Sequence, residues 1–533
     1  MGIYKQGLDR NQQLIFPPSL DELIDENNMV RAIDSYVEIL NISDLKIKTK
    51  KSLITDGQLA FHPKLLLKIY IYGYLNKIRS SRKLETEIKR NIELMWLTQG
   101  LTPSYKTIAN FRKDNPKALQ TIFKEFSILL KDINLITGNL IGVDGAFLRA
   151  NASKNTLIMK TTIKRDLLKI DEDIKNYMTI LDTLDKEDKQ SDNLQISTYD
   201  IEKLEEKKKQ LQKDIDLLDN LGKNQYNKTD KDANVMSKPA HNLMAYNSQI
   251  AVDDTFKFIV STDISTKGSD LDQLHNMAVK SKEIVDNKDM IVTADKGYYS
   301  SVEIKKCVDD NINVVVPERN TGQVQKNRDK FSKNMFIYDN KTNNYTCPNQ
   351  ITIPKSITTL KRDNRLLYVY RVSQTICKNC PMQDRCLGDK TKYKQLFRWE
   401  HEAIVEEHHK KMQTKKAKDI VKKRGSIVEH PFGTIKRTLG WDHFLVRSKE
   451  KVLGENALIM FTYNFRRLLN LIWVALFKKL CLAIKNKDLT QIREDIAKYI
   501  LMFGLYMVCF LVNILFLQNS RKNLKYYKNS YWT

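Results

Sequence analysis

The chain has 533 residues, 41% of them hydrophobic, which is length for roughly two to four domains with ordinary cores. Its 89 Lys and Arg against 64 Asp and Glu leave a formal charge of +25, an excess that no fold requires and that points to nucleic acid or an anionic membrane surface as partner. Only 7 cysteines occur, four of them between positions 347 and 386, so the chain reads as a metal binder and not as a disulfide framework.

Residues 1–135 read as an all-helical domain. The N-terminus lacks the apolar run of a secretory signal, which places the catalytic body in the cytoplasm. His62-Pro63 precedes Leu65, Leu66, Ile69, Tyr70, Gly73 and Tyr74, an apolar stripe at helical spacing. Ser81 and Ser104 are expected to cap the next helices, and Asn115-Pro116 to start another through Leu130. Short basic helices joined by tight turns resemble a helix-turn-helix unit, with 104–113 as the recognition segment and Lys106, Arg112 and Lys113 as DNA contacts.

From Leu140 the pattern changes to strands, expected over Leu140 to Arg149, Ser248 to Asp253 and Phe256 to Asp263. A helix over Leu271 to Val285, a strand from Met290 to Asp295, a helix from Ser300 to Asp309 and a strand from Ile312 to Pro317 follow. This is an α/β pattern, a mixed sheet covered by helices, over 136–155 and 236–320. Between its halves, 156–235 carries Ile163, Leu167, Ile170, Ile174, Tyr177, Leu181 and Leu184 at alternating steps, and a second such run from Ile201 to Leu218. That pattern predicts an antiparallel helical hairpin roughly 39 Å long.

Three acidic residues stand where an active-site wall is expected. Asp144 and Asp295 close short apolar runs, and Glu429 opens a basic amphipathic stretch. Phosphodiester displacement needs an activated oxygen nucleophile and neutralisation of charge on phosphate and leaving group, which two Mg2+ or Mn2+ ions supply when hard oxygen ligands hold them. Asp144 is placed to bridge both ions, with Asp295 and Glu429 binding one each. Gly142, Gly145 and Gly297 are expected to leave room for DNA backbone. Glu429 and Lys436 share a helical face at a spacing of two turns, so Lys436, with Arg437 and Arg424, is expected to meet DNA phosphates. Pro431 interrupts that helix, and a late start with Ser426 and Glu429 as capping box, or a bend, would accommodate it.

These residues resemble the DDE transposases of bacterial insertion sequences over about residues 10 to 470. Phe61-His-Pro-Lys-Leu-Leu66, Ser81-Arg-Lys-Leu-Glu85 and Pro103 to Arg112 are similar to landmarks of that family's helical N-terminal domain. Val143-Asp-Gly145, Ala245 to Asp253, Ala294-Asp-Lys-Gly-Tyr298 and Val428 to Arg437 are similar to its ribonuclease H-like catalytic domain. The subgroup it most resembles is the one numbered eleven eighty-two. The resemblance implies that Asp144, Asp295 and Glu429 form the catalytic triad. It implies attack by water at the element's end and then by the freed 3′-hydroxyl on target DNA. It also implies double-stranded DNA partners, namely terminal inverted repeats and target, a homodimer on DNA, and a nucleoid location in a bacterium. A nuclease of the same fold that does not join strands, and a catalytically silent DNA-binding remnant, are the alternatives.

Cys347, Cys377, Cys380 and Cys386 give the spacing of a closed structural Zn2+ site stapling an insertion over 321–400. Residues 401–470 then complete the catalytic core with the helix of Glu429. Cys307, Cys481 and Cys509 lie in apolar patterns and are expected to be core thiols. The extension 471–533 departs from the family, because Tyr499 to Leu517 is uncharged and long enough to span a bilayer. A membrane anchor, a helix buried in a dimer, and an altered reading of the gene's end remain open for it.

Overall fold

A computed structural model describes residues 19–47, 60–186, 194–237, 242–318, 330–362, 365–388 and 391–502. Six helices come first: α1 (Met29–Ile39), α2 (Pro63–Leu75), α3 (Ser81–Ile88), α4 (Ile92–Thr98), α5 (Tyr105–Asp114) and α6 (Pro116–Asp132). Their starts follow local chemistry. Asn28, Asn91 and Ser104 each accept a first-turn N–H, and Pro63 and Pro116 take first-turn positions where a missing N–H costs nothing. Ser80, one residue before the expected Ser81, caps α3.

The α/β part runs β1 (Leu140–Arg149), β2 (Leu157–Met159), α7 (Lys160–Lys186), α8 (Leu194–Asn220), β3 (Gln225–Asn227), β4 (Asn234–Ser237), β5 (Asn242–Asp253) and β6 (Ile259–Ser265). It continues with α9 (Leu274–Val285), β7 (Ile291–Thr293), α10 (Ser301–Asp309) and β8 (Asn313–Val315). β1 is central. It pairs antiparallel with β5 on one side and parallel with β7 on the other; β8 lies parallel beyond β7, and β4 and β6 pair with the far edge of β5. The register sets Asp144 opposite Ile250 and Gly142 opposite Thr293. Pairing of β1 with β7 stops at Gly142, so the two strands part just before Asp144. The expected hairpin is present as α7 and α8, its base closed by β2 against β3 and by Ile163, Leu218 and Tyr226.

A separate lobe follows, with β9 (Ile337–Asp339), β10 (Asn344–Thr346), β11 (Thr352–Ile353), β12 (Lys355–Arg362), β13 (Arg365–Arg371), α11 (Gln374–Lys378), α12 (Gln383–Cys386) and β14 (Gln395–Trp399). Two three-stranded sheets enclose its own small core of Phe336, Tyr345, Ile353, Tyr370 and Leu396. Then come α13 (Glu402–Gln413), α14 (Lys415–Gly433), a π-helical turn over Thr434–Thr438, and α15 (Lys449–Lys485), which changes direction at Trp473. The late start expected for the Glu429 helix is corrected: Thr414 caps α14, fifteen residues upstream of Glu429, and Pro431 sits inside it. Pro431 brings no N–H to the ladder, and three residues later the helix widens into the π turn.

Every residue from Gly454 to Phe465 is buried, so α15 is a central helix and not an amphipathic surface one. It packs on α1, α2 and α6 and also on β6. Tyr36, Phe126, Phe461 and Phe465 meet there with ring centroids 4.9 to 5.9 Å apart. The N-terminal helices and the sheet therefore share one continuous apolar core. Cys307 and Cys481 are buried, as expected of core thiols. Among the described residues no helix is long and apolar enough to cross a membrane. Residues 503–517 of the apolar run, and Cys509 with them, lie outside the described residues.

Candidate active site

Asp144 and Asp295 come together where β1 and β7 separate. Asp144 faces the same side of β1 as Gly142, and its Oδ1 accepts the N–H of Gly145 at 3.0 Å. Asp295 follows β7 and caps a 3-10 turn over Lys296–Tyr298, accepting the N–H of Gly297 at 2.7 Å. The electrostatics record their proximity. Burial pushes the Asp144 carboxyl up to about 6; the guanidinium of Arg424 and the Gly145 N–H pull against that, while Asp295 and Asp270 add to it. Arg424 Nη1 stands 3.9 Å from Asp144 Oδ1, buried and, among the described residues, without a hydrogen-bond partner.

α14 reaches this place from above β1. A Cβ on Gly142 would lie 2.9 Å from Val428 Cγ1 and 3.0 Å from Ile427 Cγ2, so the absent side chain lets the helix settle directly on the strand. Ile427, Val428 and Arg424 form the sheet-facing side of α14. Glu429 is about 140° around the helix from Arg424. Its side chain is exposed and folds back along its own helix, with Oε1 3.3 Å from where a Cβ on Gly425 would sit. The structure thus joins Asp144 with Asp295 and brings the Glu429 helix to them, with the Glu429 carboxylate turned outward. Among the described residues no three His, Cys, Asp or Glu side chains stand in a ready metal-holding group. Asp144 and Asp295 nevertheless fit a hard divalent cation by donor chemistry.

The glycines beside the aspartates serve protein packing, which corrects the expectation that they clear space for DNA. A Cβ on Gly145 would meet Gln249 Nε2 at 2.4 Å, and one on Gly297 would meet the Asp295 carboxylate itself at 2.7 Å. Arg112 is also corrected as a DNA contact. It is 6% exposed, and its guanidinium meets Glu455 at 3.4 Å and the Tyr74 hydroxyl at 2.9 Å. Lys106, Lys113 and Arg437 are exposed. Lys436 is half-buried, its ammonium 5.4 Å from the Phe432 ring centre; the π turn moves it off the face expected from seven-residue spacing. Spacing gave no sign of Asp270, which lies in the loop after β6 and accepts the side-chain amides of Asn247 and Gln249 at 2.7 Å each.

The four cysteines of the second lobe, all without disulfide partners, line one cavity of about 30 Å³. The N–H of Ile351 donates to Cys347 Sγ at 3.4 Å and that of Lys394 to Cys377 Sγ at 3.5 Å. Burial pushes the Cys386 thiol up, and the other three cysteines add to the shift.

Residues 18–114 match a family model described as a transposase domain (DUF772). Residues 346–469, which include Glu429 and all four clustered cysteines, match one described as a transposase DDE domain. No curated protein matches the chain. Among solved structures, the cryo-EM structure of a piggyBac transposase synaptic complex with hairpin DNA aligns over 89% of this chain and 80% of that one, at 9% identity and a TM-score of 0.27, too faint a likeness to support any inference. A transposase domain matched over its N-terminal helices and a transposase DDE domain matched over the helix that rests on the Asp144 strand give the chain DNA transposase function.

Proposed function

We propose that Asp144, Asp295 and Glu429 form the carboxylate set at which this transposase cuts and joins DNA, on a sheet of ribonuclease H-like type. The observation that carries the reading is the meeting of Asp144 and Asp295 at the parting of β1 and β7, with the half-buried Asp144 carboxyl raised by its surroundings. The strand order β6, β5, β1, β7, β8, antiparallel up to β1 and parallel beyond it, is consistent with that fold. Two Mg2+ ions held there would supply an activated oxygen and neutralise charge on the phosphate and the leaving oxygen. The N–H groups of Gly145 and Gly297 orient the two aspartates, and Arg424 brings positive charge to the same side. Glu429 would complete the set by leaving the flank of Gly425 together with a rotation of α14 on β1.

Lys436, Arg437, Lys106 and Lys113 are proposed to hold DNA backbone at the terminal inverted repeats and the target. The chain is proposed to act as a homodimer on DNA, in a bacterial nucleoid, within the insertion-sequence subgroup numbered eleven eighty-two. Cys347, Cys377, Cys380 and Cys386 are proposed as a structural Zn2+ site, supported by their shared cavity and the N–H···S bonds at two of them.

Cutting and joining are tested with a labelled element end in Mg2+. Asp144→Asn and Asp295→Asn are expected to retain DNA binding and lose cutting. Glu429→Gln is expected to lower cutting at least about 100-fold; normal cutting by this variant removes Glu429 from the set. With a pre-cut 3′-hydroxyl end, nicks without joined product would mark a nuclease instead.

A further inference from the structure

We propose that Asp270 is a positioning residue that fixes Asp295 relative to Asp144 through a relay of buried side chains, Asp270 to Gln249 to Tyr298. The proposal rests on the assignment of the two aspartates as metal ligands. Asp270 Oδ1 accepts two amide groups, Asn247 Nδ2 and Gln249 Nε2, each at 2.7 Å. Both donors are fully buried on β5. An ionised carboxylate only accepts, so it dictates which end of each amide faces it. The Gln249 oxygen must then point the other way, where it accepts the hydroxyl of Tyr298. Tyr298 is fully buried and closes the 3-10 turn that Asp295 caps.

Asn247 gives a second sign of the same constraint. With its nitrogen committed to Asp270, its Oδ1 is left buried without a donor among the described residues. That oxygen lies 2.9 Å from where a Cβ on Gly145 would be, as does Asp270 Oδ1. The relay therefore runs beside the residue that follows Asp144 and ends in the turn that follows Asp295. Its two ends span the pair. Burial, with Asp270, Asp144 and Asp295 nearby, pushes the Tyr298 hydroxyl well above its usual range, so it remains a donor at neutral pH.

The test is Mn2+ binding to the full chain by electron paramagnetic resonance, with thermal melting as a folding check and DNA cutting as a second readout. Asp270→Ala removes the acceptor and is expected to weaken Mn2+ binding about 10-fold or more, the usual size for loss of a residue that orients a ligand. Asp270→Asn keeps an oxygen that can take both amides and is expected to stay within about 3-fold of wild type. Tyr298→Phe breaks only the far end of the relay and is expected to shift binding in the same direction as Asp270→Ala; it decides the matter should Asp270→Ala fail to fold. Wild-type affinity in Tyr298→Phe overturns the relay, and so does an Asp270→Asn variant as weak as Asp270→Ala. Asp144→Asn is the reference. If it binds Mn2+ like wild type, the assignment of Asp144 as ligand fails, and that outcome is distinct from failure of the relay.

Discussion

Glu455 shows what a single residue does in this chain. It is fully buried on α15 and accepts the N–H groups of Leu445 and Val446, the Tyr74 hydroxyl at 2.7 Å, Arg79 at 3.0 Å and Arg112 at 3.4 Å. Burial pushes its carboxyl up, but Arg112, Arg79, Tyr74 and the Leu445 N–H outweigh that and hold it at about 2. Because the folded value lies below the ordinary one, the contribution is present above about pH 4.5 and is lost as pH falls toward 2. Its size is on the order of 3 kcal/mol. Glu455→Gln is expected to cost about 3 to 5 kcal/mol at pH 7, since two buried guanidinium groups lose their counter-charge. The variant should also show a flatter fall of melting temperature between pH 4.5 and 2.5; an acid limb as steep as wild type would remove Glu455 as its source. The same cluster explains why Arg112 was misread from sequence. In a basic stretch, a buried Arg looks like its exposed neighbours, and the partner that buries it lies 343 positions away.

At the scale of elements, the decisive contact is α14 on β1. Gly142→Ala would force Val428 and Ile427 to move by several tenths of an ångström and lift the helix that carries Arg424 and Glu429. The expected cost is about 1 to 3 kcal/mol, with reduced cutting. Val428→Ala in the same chain should restore part of both, measured as a double-mutant cycle; strict additivity would mean that this contact does not set the helix position. Helix and strand identities were legible because they rest on local rules. His62-Pro63 and Ser104 start helices where expected, and the alternating heptad-like steps of 163–184 gave the hairpin. The course of α14 was not legible. Pro431 suggested a late start or a bend, yet the helix begins at Lys415 and runs through Pro431, with Ile427, Val428, Pro431 and Phe432 buried along it.

Across the whole molecule, two cores behave differently. α1, α2 and α6 cover α15, so the N-terminal helices are part of the scaffold that holds the sheet of β1 and do not form a detachable module. The cysteine lobe has a core cluster of five buried residues, small enough that the proposed Zn2+ would add materially to its stability. If the four cysteines hold the proposed Zn2+, a chelator is expected to raise hydrogen exchange across residues 330–399 while leaving β1 and α15 protected. Uniform loss of protection would show that the lobe is an integral part of the main core, and unchanged exchange would remove the zinc assignment.

The sequence by itself determined the class of the elements and singled out Asp144 and Asp295 as the carboxylates of the proposed site, because capping, periodicity and residue chemistry act over a few residues. Only the tertiary structure decided which arginine is buried, that Gly142 and Gly145 serve packing, that Asp270 stands beside the two aspartates, and which way Glu429 faces. Those outcomes depend on contacts between segments more than a hundred residues apart, or on the rotation of one helix against one strand, and neither quantity is written in any local stretch of the chain.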